Sequence, residues 1–250
     1  MDDAEIQVQR DALLPHRPAP GARAPTSVQE IYGYDYAAIY PSLYVDEWPK
    51  KHERNARHLT RILEGLNVPM PRWLDLGCGQ AWHFSVFSGH ARMLGIDLSE
   101  AQLVRARRSA PDATFVCKDM AELKFPRATF DLVTNFWAAY GYLGSREKIL
   151  RLFRSAVDWV SSGGALYIEV LLGERAVRFN QSGFAKHTGC IVTPRTADLC
   201  EWEFEDAGGI HGMTSPTLQD FLDVISPSFA GVEVRHDGPF MIDLIATGRK

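Results

Sequence analysis

The chain has 250 residues and a mass of 28.0 kDa, enough for one full α/β domain with an elaboration. With 46% hydrophobic and 23% charged residues it can bury a sizeable core. The formal net charge of -4 without any Lys/Arg block argues against a nucleic-acid partner, and no run approaches the roughly 18 apolar residues of a membrane span.

The opening MDDAEIQVQR is acidic where a signal peptide would be basic, so the expected location is cytoplasmic. Residues 11–27 hold four prolines and little apolar periodicity. Structure is expected to begin near residue 28, leaving 1–28 as a flexible arm. In the following IYGYDYAAIYPSLYVDEW, Tyr36, Tyr40 and Tyr44 share a face if the segment is helical, although Pro41 argues against one unbroken helix. Next, DEWPKKHERNARHLTRILEGL places Trp48, His52, Ala56, Leu59, Leu63 and Leu66 at spacings of three and four, an amphipathic helix ended by Gly65 to Pro69. Residues 29–70 therefore read as a helical cap ahead of a 71–250 core.

RWLDL is a short apolar run followed by glycines, a buried strand, and ARMLGIDLS, ATFVC, FDLVTNF and GALYIEV repeat that character with helical patterns between them. Alternating strand and helix predicts a doubly wound, mostly parallel α/β sheet with helices on both faces. Ser99 and Gln102 have capping-box spacing, and SREKILRLFRSAVDWVSSGG carries Ile149, Leu150, Phe153, Val157 and Val160 up to Gly163 and Gly164. Residues 188–206 look like two extended runs around a turn, inside an insertion spanning 174–215 that would cover a substrate. TLQDFLDVI resumes a helix, and VEVRHDG and FMIDLIATG form a C-terminal hairpin around Gly238 and Pro239. Cys78, Cys117, Cys190 and Cys200 lack CxxC spacing and suit free thiols; no metal site is expected.

The chemistry centres on LDLGCGQAWH, residues 74–83. A strand entering a glycine turn exposes backbone N–H groups at the sheet's carboxyl edge, and Gly77 and Gly79 allow a ligand close to the main chain. A dinucleotide turn would carry a third glycine three residues past Gly79, but Trp82 stands there and would obstruct a pyrophosphate. Asp75 would repel a diphosphate and suits a cationic amino group. Asp97, twenty residues beyond Gly77, can accept from two ribose hydroxyls, while Asp119 can accept from an adenine amine with Met120 over the ring. The ligand these residues describe is an adenine nucleoside with an amino-acid tail and no phosphates.

LDLGCGQAWH, GIDLS, CKDMAEL and FDLVTNFWAAYGYL, in this order, resemble the class I S-adenosylmethionine-dependent methyltransferases over roughly residues 30–250. Within that superfamily the chain is most similar to small-molecule N-methyltransferases of antibiotic and amino-sugar pathways, which share a histidine after the glycine turn (His83) and an aromatic-Gly-Tyr-Leu run (Tyr140 to Leu143). The resemblance implies a Rossmann-like fold. It implies S-adenosyl-L-methionine as cofactor and S-adenosyl-L-homocysteine as product. It assigns Asp75, Gly77 and Gly79 to the methionine part, with His83 beside them, and Asp97 with Leu98 to the ribose. Asp119 and Met120 take the adenine, Asn135 and Phe136 the region near the sulfonium, and Tyr36 or Tyr40 closes over the cofactor. The turn departs from the family pattern at Ala81, where a glycine is usual, and at the bulky Gln80 and Trp82.

Methyl transfer from a sulfonium asks the protein mainly to align nucleophile, methyl and sulfur and to exclude water. An amine needs no strong base, whereas a hydroxyl usually needs a base or a metal. With no metal-ligand set, N-methylation of a small molecule is expected; O-methylation of a hydroxylated or phenolic metabolite is the alternative, and a cofactor-binding protein without chemistry the remaining one. Candidate substrate-binding residues are Trp137, Tyr140, Tyr142, Glu169 and His187, and candidate catalytic groups Tyr140, Glu169 and His211. The expected partner is a small molecule, with neither nucleic acid nor membrane; a homodimer is open.

Overall fold

A computed structural model of the chain describes residues 25–45, 48–183, 185, 190–238 and 240–250. Seven strands form one sheet, in the spatial order Thr114–Cys117, Arg92–Asp97, Arg72–Leu76, Phe130–Asn135, Val160–Val170, Ile242–Arg249 and Phe229–Arg235. The parallel half comprises β1 (Arg72–Leu76), β2 (Arg92–Asp97), β3 (Thr114–Cys117), β4 (Phe130–Asn135) and β5 (Val160–Val170). The hairpin of β9 (Phe229–Arg235) and β10 (Ile242–Arg249) completes it, with β10 antiparallel to both β5 and β9. The strand order reverses between β1 and β4, where Leu74 faces Leu94 on one side and Val133 on the other. A crevice therefore opens beyond the carboxyl ends of β1 and β4.

Each strand at the centre is a near-continuous apolar run because helices cover both faces. On one face α6 (Arg146–Trp159) and α8 (Leu218–Ile225) bury Ile149, Phe153, Val157 and Phe221. On the other, α3 (Pro49–Gly65), α4 (Trp82–Val86) and α5 (Glu100–Ser109) bury Leu59, Ile62, Phe84, Leu103 and Ala106. The sequence runs α6 on to Gly163, but the helix stops at Trp159 and β5 begins at once. The Val160 N–H still bonds Ala156, the strand register against β4 shifts between Phe130 and Leu132, and Gly163 takes φ +76. The glycines thus serve an irregularity in a strand rather than a helix stop.

Ahead of α3 lie α1 (Val28–Ile31) and α2 (Tyr34–Tyr40), and the α-helical geometry of the second ends at Pro41, its C-cap. The chain widens into a π-helical turn, Pro41–Val45, which keeps Tyr40 stacked on Tyr44 at 5.0 Å. A separate three-stranded antiparallel sheet combines β6 (Ile191–Pro194), β7 (Glu201–Asp206) and β8 (Gly209–Thr214). The extended runs expected at 188–206 are β6 and β7. β8 escapes the sequence pattern because two of its six residues are glycines, and Gly212 lies so close to Pro25 that a Cβ would sit 2.9 Å from its ring. A short helix α7, Gly173–Arg178, links β5 to this sheet. No helix among the described residues is long and apolar enough to cross a membrane.

Candidate active site

β1 delivers the chain into a turn in which Gly77 (φ +72), Gly79 (φ +54) and Ala81 (φ +58) are all left-handed. The amides of Gly77 and Cys78 both donate to the Ile96 carbonyl, at 2.8 and 3.0 Å, which ties the turn to β2. A Cβ on Gly77 would lie 2.5 Å from that of Ala139, so glycine is required there by packing as well as by φ. At Gly79 a Cβ would meet nothing within 4 Å: this face is open to the cavity, leaving room for a ligand against the main chain. The departures from the family pattern are absorbed by the N-terminal helices. Gln80 Nε2 donates to the Ala37 carbonyl at 2.7 Å, and Trp82 packs on His52 with ring centroids 4.4 Å apart.

Three carboxylates stand at successive strand ends on the wall of one cavity of about 400 Å³. Asp75 is buried and accepts from Thr134 Oγ1 at 2.7 Å; burial, with the charges of Asp97 and Glu169, pushes its carboxyl up to about 8. A carboxyl so short of charge compensation is complementary to an ammonium group. Asp97 accepts from the Gly79 and Ser99 amides, one on each oxygen, at 2.8 and 2.9 Å. Burial raises its pKa against the pull of those amides, and each oxygen keeps capacity for a further donor. Asp119 begins the short turn Met120–Glu122, with one oxygen bonded to the Ala121 amide at 2.8 Å. Leu98 and Met120 line the same region.

His83 is on the wall, stacked on Phe136 at 3.9 Å; burial, with the charges of Lys51 and His52, holds its imidazole well below the usual range, hence neutral. Its Nε2 is buried without a hydrogen-bond partner. Tyr40 lines the cavity, whereas Tyr36 does not: its hydroxyl is turned away to Asp206 Oδ2, at 2.5 Å. Asn135 is behind the wall, donating through Nδ2 to the Leu76 carbonyl at 2.7 Å and so bracing β4 against β1.

On the acceptor side Trp137 and Tyr142 line the cavity, but Tyr140 and Glu169 do not. Tyr140 is fully buried, its hydroxyl accepting from the Leu171 amide at 3.2 Å, which makes it a brace between the β4 loop and β5. Glu169 is fully buried beneath the wall. Its carboxylate accepts from Lys51 Nζ, the Trp137 amide and Asn55 Nδ2 at 2.7, 2.7 and 2.9 Å. Burial pushes that carboxyl up, but Lys51 and the two other donors together hold it below its ordinary value. Trp137 and Ala138 have φ 56 and 50, a left-handed pair at the carboxyl end of β4 that Glu169 pins by the Trp137 amide. His187 lies outside the described residues.

Tyr142 is the cavity end of a hydrogen-bonded chain. Its hydroxyl is 2.6 Å from His211 Nδ1 and 2.9 Å from the Tyr32 hydroxyl, and His211 Nε2 is 2.7 Å from Asp206 Oδ1. A carboxylate only accepts, so Nε2 carries a proton; with Nδ1 as the acceptor, Tyr142 donates to it and accepts in turn from Tyr32. Asp206 is saturated: Tyr36 and Tyr44 donate to Oδ2, the Gly208 amide and His211 to Oδ1. His211 itself is fully buried and reaches the cavity only through Tyr142.

The sequence reading missed Lys51, Asn55 and Gln102. Lys51 stands 3.9 Å over the Trp137 ring and, with Asn55 and His58, occupies the same inward stripe of α3 as Leu59 and Ile62. That i, i+4, i+7 spacing was the available signal, hidden because an apolar count passes over polar members of a buried face. His52 and His58 both point inward, the first beside Trp82 and Trp137, the second beside Tyr167. Among the described residues no group of three His, Cys, Asp or Glu side chains could hold a metal.

Residues 74–164 match a family model described as a methyltransferase domain. A curated relative, the dTDP-3-amino-3,4,6-trideoxy-alpha-D-glucopyranose N,N-dimethyltransferase of Streptomyces venezuelae, is 26% identical over 140 residues, covering 56% of this chain and 58% of that protein. The match thus spans little more than half the relative's length. Among solved structures, DesVI of Streptomyces venezuelae superposes with a TM-score of 0.63 at 21% identity, over 86% of this chain and 99% of that one. The sugar N-methyltransferase KedS8 from Streptoalloteichus sp. gives 0.58 at 17% identity, over 95% and 98%. Residues 74–164 thus carry a methyltransferase domain, and the sheet has the Rossmann-like topology of the solved S-adenosylmethionine-dependent methyltransferases that the chain resembles.

The cofactor of those methyltransferases is S-adenosylmethionine, and the residues present fit it. Asp75 offers an ionisable acceptor for an amino group, Asp97 two oxygens for a diol, Gly79 an open backbone face. Residues 77–82 carry no cation for a diphosphate.

Proposed function

We propose that the protein transfers the methyl group of S-adenosylmethionine to a nitrogen of a small-molecule acceptor held between Trp137 and Tyr142. Continuity of the cavity carries this reading: one space is lined both by Asp75, Gly79 and Asp97 and by Trp137, Tyr142 and Phe204. In this reading Asp75, Gly77, Gly79, His83, Asp97, Leu98, Asp119, Met120 and Tyr40 hold the cofactor. Residues 29–70 and 174–215 act as its cover over the 71–250 core. The curated relative acts on an amino sugar, which favours nitrogen over oxygen.

When bound, the cofactor supplies an electrophilic methyl on a sulfonium. The protein's work is to align the acceptor, keep water out and manage one proton. An aliphatic amine arrives largely as ammonium and must release a proton to expose its lone pair. Tyr142 is placed to take it as its own hydroxyl proton passes to His211 Nδ1, with Asp206 holding the resulting imidazolium. Burial keeps the Tyr142 hydroxyl well above the ordinary phenol range, so Tyr142 passes the proton on and does not rest as phenolate. After product leaves, the proton returns through Tyr142 to water in the open cavity.

The test begins with calorimetry of S-adenosylmethionine and S-adenosylhomocysteine, with NAD as control, followed by labelled-methyl transfer to panels of amines and phenols. Binding of the sulfur nucleosides and methylated amines are expected, with Tyr142→Phe and His211→Gln still binding cofactor but turning over about a hundredfold more slowly. Absence of cofactor binding, or methylation of phenols alone, would overturn the reading.

A further inference from the structure

Gln102 has capping-box spacing from Ser99, but only half of that box forms. Ser99 Oγ accepts from the Gln102 amide at 3.2 Å, while the Ser99 amide is already taken by Asp97 Oδ1 at 2.9 Å. The Gln102 side chain, with no donor to return to, is turned into the interior. It is 1% exposed, neither its Oε1 nor its Nε2 has a hydrogen-bond partner, and it lines the cavity beside Asp97, Leu98, Asp119 and Met120. Buried carboxamides are almost always paired, so one left open on a cavity wall describes the ligand it lacks.

That ligand presents a donor and an acceptor side by side. The amino-acid tail and the diol of the cofactor already have acidic partners in Asp75 and Asp97. For a base placed between Leu98 and Met120, the remaining oxygen of Asp119 can accept from the exocyclic amine but donate nothing to the ring nitrogens. Gln102 Nε2 supplies the missing donor and Oε1 a second acceptor, the pairing by which a carboxamide recognises adenine. We infer that Gln102 reads the N6/N7 edge of the cofactor's adenine, accepting from the exocyclic amine and donating to N7. The inference rests on the S-adenosylmethionine reading above.

Two nucleosides separate it from that reading: S-adenosyl-L-homocysteine and S-inosyl-L-homocysteine, which carries a carbonyl in place of the exocyclic amine. Calorimetry on the full chain is expected to show the adenosyl compound binding at least about tenfold more tightly. In Gln102→Met the adenosyl affinity falls about tenfold while the inosyl affinity changes little, so the preference narrows to what Asp119 alone supplies. The ligand-free variant should also melt at a higher temperature than the wild type, since an apolar chain of similar length replaces an unpaired amide. A side chain present only to support the fold would give the opposite shift. Equal binding of the two nucleosides by the wild type overturns the inference without any variant, as does a variant that weakens both alike or neither. Failure of the wild type to bind S-adenosylhomocysteine would instead remove the cofactor reading, and the inference with it.

Discussion

Asp75 shows how one residue records its ligand. Its environment supplies a single side-chain hydrogen bond from Thr134 and three sources of discomfort: burial, Asp97 and Glu169. With its carboxyl at about 8, the ligand-free protein holds it mostly protonated at neutral pH. An ammonium group placed beside it favours the ionised form, so binding must drive a proton off. The sign follows: affinity for S-adenosylhomocysteine rises with pH up to about 8 and then levels. At pH 7, calorimetry in buffers of different ionisation enthalpy should show release of roughly one proton per ligand bound. Asp75→Asn should abolish the release and weaken binding. Proton release unchanged in that variant would assign the titration to another group and leave Asp75 without its proposed role.

At the scale of elements, Asp206 joins parts of the chain that lie far apart in sequence. It ends β7, takes hydroxyl donors from α2 and from the π-helical turn, and orients the β8 histidine that holds Tyr142 of the β4 loop. Every one of its four acceptor positions is filled, and burial is outweighed by His211 and the other donors, so the carboxyl lies below its ordinary value. Asp206→Ala would leave those donors facing one another in a dry site. The expected loss is about 3–5 kcal/mol of unfolding free energy, read from urea denaturation, with earlier proteolytic nicking of the 28–45 segment. A loss under about 1 kcal/mol would mean that the cover is held by its aromatic packing instead. Tyr32, Tyr36 and Tyr40 do supply such packing, with ring centroids between 5.3 and 6.3 Å apart.

Over the whole molecule, what could be read from the chain divides along the range of the interactions. The parallel half of the sheet was legible because each strand is a short, mostly apolar run set between helical patterns, and Asp75, Asp97 and Asp119 follow from local spacing. Glu169 was legible as a residue of interest but not as a buried one. Its partner Lys51 lies 118 positions away in sequence, and no local pattern announces a pair closed only by folding. His211 was likewise found without its route to the cavity, because β8 is glycine-rich and Tyr142 intervenes. The same division predicts how the molecule responds to ligand. If one cavity joins the glycine turn to the acceptor wall, a ligand at Asp75 and Asp97 stabilises the other segments that line it. Hydrogen exchange with S-adenosylhomocysteine at about a hundred times its Kd, worth about 2.7 kcal/mol to the bound state, should slow amides at 77–81 and 97–99. It should also slow those of α2, the π-helical turn and the β7–β8 hairpin, because Tyr40, Tyr44 and Phe204 share the cavity with Gly79. Protection confined to the glycine turn would show that the cover folds independently of the cofactor. The acceptor would then have to be recognised by a wall that the cofactor does not help to build.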